Sequence, residues 1–132
     1  MDSGNHRTHA KPVELLVCNR CKKGMEVQEG EKRPGELLSD ALQTQDFPKN
    51  VKVHRVNCLS NCSNGCTIVL RGEARWSYIY GNLDPIEHVS TIVDGINKYL
   101  NTADGVVPWH ERPKHFRKNC VARIPPIEAY NE

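Results

Sequence analysis

The sequence predicts a small α/β protein whose elements run β-α-β-β-β-α and close in an irregular C-terminal extension. Two kinds of observation predict it. Short apolar or alternating runs of strand type are interleaved with two segments whose apolar residues recur at helical spacing. Glycine, proline and polar clusters separate these segments. The 132-residue chain is long enough for one domain with a single modest core.

Each element has a local reason. Val13–Val17 is a short β-type run that ends at Cys18. The charged stretch from Lys22 to Glu36 carries Gly24, Gly30, Pro34 and Gly35 and reads as a loop. From Gly35 to Phe47 the spacing predicts a helix, with Leu37, Leu38, Ala41 and Leu42 as its apolar stripe and Pro48 as its stop. Val51–Val56 alternates apolar and polar residues with period two, the pattern of a half-buried strand. Thr67–Arg71 and Arg75–Tyr80, joined by Gly72-Glu-Ala, predict an antiparallel hairpin. Asp84 is placed to cap a second helix with Pro85 in its first turn. Its apolar positions Ile86, Val89, Ile92, Val93, Ile96 and Leu100 recur at helical spacing, and it ends near Gly105. This is the element order of the thioredoxin fold. The expected organisation is a flexible tail over 1–11, the thioredoxin-like domain over 12–105, and a Pro-rich basic extension over 106–132.

Five of the six cysteines form two tight groups, Cys18-x2-Cys21 and Cys58-x3-Cys62-x3-Cys66. Each group follows a predicted strand. If those strands are parallel neighbours, both loops leave the same end of the sheet and the thiols meet. Thiolates that meet in fours bind an iron–sulfur cluster or a metal. Spacing alone does not choose between a [2Fe–2S] cluster and a structural zinc, although Cys58-x3-Cys62 is not the usual Cys-x2-Cys zinc knuckle. A thioredoxin-type dithiol at Cys18/Cys21 is the weakest reading. Cys21 leads into Lys22-Lys-Gly24 and a polar loop, not into a helix whose dipole would favour a thiolate.

The run Val56-Asn-Cys58-Leu-Ser-Asn-Cys62, between one strand and Thr67-Ile-Val-Leu70, resembles the second cluster loop of the thioredoxin-like [2Fe–2S] ferredoxins. Arg33–Leu38, Trp76–Pro85, Val107–Pro113 and Val121–Pro126 resemble a group of small bacterial "predicted metal-binding" proteins in that superfamily. The likeness spans Val13 to Pro126. It implies a [2Fe–2S] cluster held by Cys18, Cys21, Cys58 and Cys62, with Cys66 as the alternative fourth ligand in place of Cys21. The first pair is closer spaced here than in most of those ferredoxins, and Cys66 is a fifth thiol for four places. The function this implies is a one-electron carrier and not an enzyme, with a redox partner (a reductase or oxidoreductase) and a homodimeric state. The alternatives are a zinc-binding or metal-handling module linked to cofactor biosynthesis, and a Cys-x-x-Cys thiol oxidoreductase.

Other residues have plainer readings. Cys120 stands apart and is expected to be a buried or inert thiol, not a ligand. His6, His9, His54, His88, His110 and His115 are scattered and expected to be solvated. Trp76, Tyr78 and Tyr80 share one strand face and are expected to pack in the core or at a dimer interface. Arg112, Lys114, Arg117, Lys118 and Arg123 give the extension a basic balance, read first as solvated and second as a docking strip for an acidic partner. A net charge of +2 does not argue for nucleic acid. No run approaches the ~20 apolar residues of a membrane span, and the polar N-terminus has no signal-like apolar core. The expected compartment is the cytoplasm, where clustered cysteines are ligands or redox groups.

Overall fold

A computed structural model describes residues 11–127. Apart from Lys11, the expected N-terminal tail lies outside these residues. Five strands form one mixed sheet in the order β2-β1-β3-β4-β5. They are β1 (Val13–Cys18), β2 (Val51–Val56), β3 (Ile68–Gly72), β4 (Ser77–Tyr80) and β5 (Cys120–Ile124). β1 and β2 are parallel, in register from Val13 opposite Val51 to Cys18 opposite Val56. The pairs β1/β3, β3/β4 and β4/β5 are antiparallel. The helices are α1 (Pro34–Gln43), α2 (Val89–Leu100) and α3 (Lys114–Lys118). Among the described residues, no helix is long and apolar enough to cross a membrane.

β1 shows no in-out alternation because the strand is central. Val13, Leu15, Val17 and Cys18 are all buried, as expected for a strand covered on both faces. β2 lies at the sheet edge, and Lys52, His54 and Arg55 there are exposed. Charged side chains on an edge strand discourage pairing with another chain. His54 also sits 3.2 Å from Glu14, which bonds Arg71 on the far side of β1. α1 buries Leu38 and Leu42 against β1 and β2, but Leu37, the first residue of the predicted stripe, is exposed. The helix ends at Gln43 rather than Phe47, where the Thr44 hydroxyl donates to the Ala41 carbonyl at 2.8 Å. That side-chain bond competes with continuation of the helix.

Asp84 caps as predicted, its carboxylate accepting the Ile86 and Glu87 N–H groups at 2.9 and 2.8 Å. What it caps is a turn, and regular α2 begins only at Val89. α2 buries Ile92, Ile96, Tyr99 and Leu100.

The extension is where the structure corrects the sequence. It was expected to be irregular, yet it carries α3 and adds β5 as the outer strand beside β4. Phe116 ties it down: the ring is buried, stacks on Tyr80 at 3.8 Å between centroids, and lies against Gly95 of α2. Phe116 is the one buried residue of α3 and β5, so no periodic pattern announces this docking. Tyr78 and Tyr80 are core residues, while Trp76 is half-buried beneath Arg123, which lies 4.4 Å above its ring.

A Cβ on Gly95 would fall within the Phe116 ring. Phe116→Ala should destabilise the fold by about 3 kcal/mol, as large-to-small changes in a core do. Gly95→Ala should destabilise the native protein, but stabilise the Phe116→Ala variant by up to about 1 kcal/mol, the helix-propensity difference. Denaturant unfolding of the four proteins in this cycle measures both signs.

Candidate metal centre

The ends of β1, β2 and β3 are joined in one place. The Cys18 N–H donates to Thr67 O at 3.1 Å and the Asn19 N–H to Val56 O at 2.7 Å. The loop after β1 therefore leaves between the loop after β2 and the chain entering β3. Cys18 and Cys21 lie on the first, Cys58 and Cys62 on the second, and Cys66 on the third. Parallel pairing of β1 with β2 delivers the juxtaposition that the sequence implied.

Further bonds fix the loops. The Gly35 N–H at the start of α1 donates to Cys21 O at 2.9 Å. A Cβ on Gly35 would meet Cys18 O and the Cys21 N, so the helix start fits the cysteine loop only as glycine. Buried Ser39 of α1 donates from its hydroxyl to the Asn19 side chain at 2.9 Å, and Arg55 donates to that hydroxyl at 3.0 Å. Lys23 and Gly24 both adopt left-handed φ angles, turning the chain after Cys21. The Lys23 ammonium then donates to Gly65 O at 3.3 Å, linking the first cysteine loop to the third. Cys66 exchanges two backbone bonds with Leu83, at 3.2 and 3.1 Å.

The thiols divide by exposure. Cys18, Cys21 and Cys66 are buried at 4%, 2% and 0% exposure, while Cys58 and Cys62 are exposed. Two sulfurs accept backbone N–H bonds, Cys21 from Lys23 at 3.3 Å and Cys58 from Ser60 at 3.2 Å. The Ser60 N–H, with the Arg20 guanidinium farther off, holds the Cys58 thiol below its ordinary pKa. A charged Cys58 in turn pushes Cys62 up, with smaller contributions from Cys18 and Cys21. Burial, followed by the neighbouring Cys21, pushes Cys66 up to about 12. All five thiols thus occupy one end of the sheet. Among the described residues, no three Cys, His, Asp or Glu side chains converge as a ready-made single-ion site.

Cys120 is exposed on β5, not buried, at the opposite edge of the sheet from β2 and away from the other five thiols. Sequence reasoning missed two features. One is the pair of N–H donors to sulfur, which backbone conformation supplies and side-chain identity does not reveal. The other is the fate of His88 and His115, which are half-buried and not solvated as expected. Their rings lie 4.0 Å apart, His88 Nδ1 accepts the Asp84 N–H at 2.8 Å, and His115 Nε2 lies 3.0 Å from Gly81 O. Phe116, seated against Gly95, brings His115 to α2, a contact no local spacing could show. His54 and His110 are exposed, and His6 and His9 lie outside the described residues.

A family model described as "Protein of unknown function (DUF1636)" matches residues 15–126. The chain belongs to that family. No curated protein matches it. Among solved structures, the chain is similar to a thioredoxin-like [2Fe–2S] ferredoxin from Aquifex aeolicus, at 16% identity and a TM-score of 0.55, covering 88% of this chain and 96% of that one. A second structure, of the wild-type thioredoxin-like [2Fe–2S] ferredoxin from Aquifex aeolicus, gives 16% identity and a TM-score of 0.52, covering 85% and 98%. This DUF1636 member therefore has the thioredoxin-like ferredoxin fold that the element order predicted.

Because the thiolate is the reactive form, the thiols should alkylate in a fixed order as pH rises. Cys58 should react with iodoacetamide at a lower pH than Cys62, and Cys66 should stay unmodified in the folded protein well above pH 9, the ordinary thiol range. Peptide mass spectrometry of metal-free protein, labelled across a pH series, checks the order.

Proposed function

We propose that this chain binds one [2Fe–2S] cluster through Cys18, Cys21, Cys58 and Cys62 and acts as a one-electron carrier in the cytoplasm, turning over no substrate. The observation that carries the reading is the donor set itself. Five thiols are gathered where three strands end, and Cys21 and Cys58 each accept an N–H bond at sulfur. Such a cluster takes four thiolates, and hydrogen bonds to its sulfur ligands help set its potential.

When bound, the cluster would supply one-electron oxidation and reduction. The chain's own part is to hold four sulfurs and control access. Cys18 and Cys21 would anchor it from the protein side, and Cys58 and Cys62 from the solvent side. Cys66 is the spare in this assignment. A ligating cysteine must give up its proton, and full burial makes that hardest at Cys66. Burial also speaks against the dithiol reading: Cys18 and Cys21 offer no exposed sulfur, and no helix opens at them, α1 beginning only at Pro34.

Anaerobically purified protein should be red-brown, with visible bands that bleach on reduction and a paramagnetic reduced state. Cys62→Ala and Cys21→Ala should abolish the chromophore, whereas Cys66→Ala should retain most of it. Colourless protein carrying one zinc would overturn the cluster. Loss of colour in Cys66→Ala with survival in Cys21→Ala would reassign the fourth ligand.

A further inference from the structure

A cleft of about 650 Å³ opens directly beside Cys58 and Cys62. Arg20, Lys22 and Arg33 line it, no acidic residue among the described ones does, and Met25, 57% exposed, supplies an apolar contact in its lining. None of the three cations is paired with a carboxylate among the described residues. Arg33 is held in place by its own bond, donating to Arg20 O at 3.0 Å. The two carboxylates nearest Arg33 in sequence are engaged by backbone: Glu31 accepts the Gln28 N–H at 2.9 Å and Glu36 the Arg33 N–H at 2.8 Å. Among the described residues, the cations of this wall therefore face the cleft without a carboxylate at ion-pair distance.

The basic extension looks different. Arg112 lies over the Tyr78 and Trp109 rings, at 5.6 and 5.4 Å, and donates to Val107 O at 2.7 Å. Arg123 covers Trp76. Two of the five cations read as a docking strip are thus engaged in holding the fold.

We propose that the Arg20–Lys22–Arg33 cleft is the docking surface for an acidic partner protein, which would sit over the two exposed thiols. The purpose of that docking rests on the electron-carrier reading; the charge chemistry does not. Guanidinium groups match carboxylates in planar, two-bonded geometry. Adaptable Met25 suits an apolar contact at a protein interface. Nucleic acid fits less well: among the described residues no aromatic side chain lines the cleft to stack a base, and three cations are few beside the ~6–10 phosphate contacts of typical binders.

The test uses a fluorescein-labelled peptide of alternating Glu and Asp as the probe, in low salt, with binding read by anisotropy. The double variant Arg20→Glu/Lys22→Glu should weaken binding at least about tenfold, and Lys114→Glu/Lys118→Glu, which makes the same change in net charge, by no more than about twofold. Binding should fade as the screening length shrinks with added salt. Equal losses in the two variants, a larger loss in the second, or no binding to the parent protein overturns the proposal. Tighter binding of a single-stranded oligonucleotide that the first variant abolishes would assign the cleft to nucleic acid instead. The visible absorbance of the same samples reports the cluster separately. Colourless protein that binds the peptide at Arg20 and Lys22 defeats the carrier reading alone, and red-brown protein that does not bind defeats the docking surface alone.

Discussion

The site depends on the parallel register of β1 with β2. Parallel strands must be joined by a crossover, here through α1, and they end at the same edge of the sheet. Cys18 stands opposite Val56 in that register, so the residues that follow each strand start out side by side. Antiparallel pairing would have sent the Cys58 loop to the far end of β1. Antiparallel β3 then completes the arrangement, because the chain entering it begins where β1 ends, and Thr67 bonds Cys18 there. Three loops converge because one strand is flanked by one parallel and one antiparallel neighbour.

The same junction explains why the thiols differ. β1 is the buried strand, so the cysteine at its end and the turn packed beneath α1 are buried with it. β2 is the edge strand, and the loop that continues it stays at the surface. Cys58 and Cys62 therefore face solvent while Cys18, Cys21 and Cys66 do not. Exposure, the Ser60 N–H and Arg20 ease ionisation at Cys58, whereas burial opposes it at Cys66. Position in the sheet thus makes one kind of residue into two kinds of group.

Much of this was legible in the sequence, because its signals were local. The period-two run of β2 was read to its ends, and the cysteine groups stood next to strands whose order implied their meeting. Asp84 and Pro85 marked a helix entry, though one turn before regular helix begins. What was not legible depends on contacts between residues distant in the chain. Phe116 finds Gly95 across 21 positions, which turns a basic, proline-rich segment into α3 and β5 and moves His115 against His88. Arg33 joins Arg20 only because α1 starts against the Cys21 carbonyl. Hydrogen bonds from backbone to sulfur have no sequence signature at all.

The charge around the site has a consequence for the carrier reading that net charge hides. A chain of +2 is close to neutral, and the stretch from Asn19 to Glu36 also carries Glu26, Glu29, Glu31 and Glu36. Yet among the described residues it is Arg20, Lys22 and Arg33, and no carboxylate, that line the cleft beside Cys58 and Cys62. Four thiolates and their irons would form a group of net negative charge, so on the proposed reading fixed cations beside it would favour the reduced, more negative state. The same cations attract an acidic surface, and a partner bound there would bring negative charge toward the site. By linkage, a partner that disfavours the reduced state would bind a reduced carrier less tightly than an oxidised one. An acidic acceptor would thus draw the electron out of the site as it docks. One wall of arginine and lysine would then contribute both to holding the electron and to releasing it.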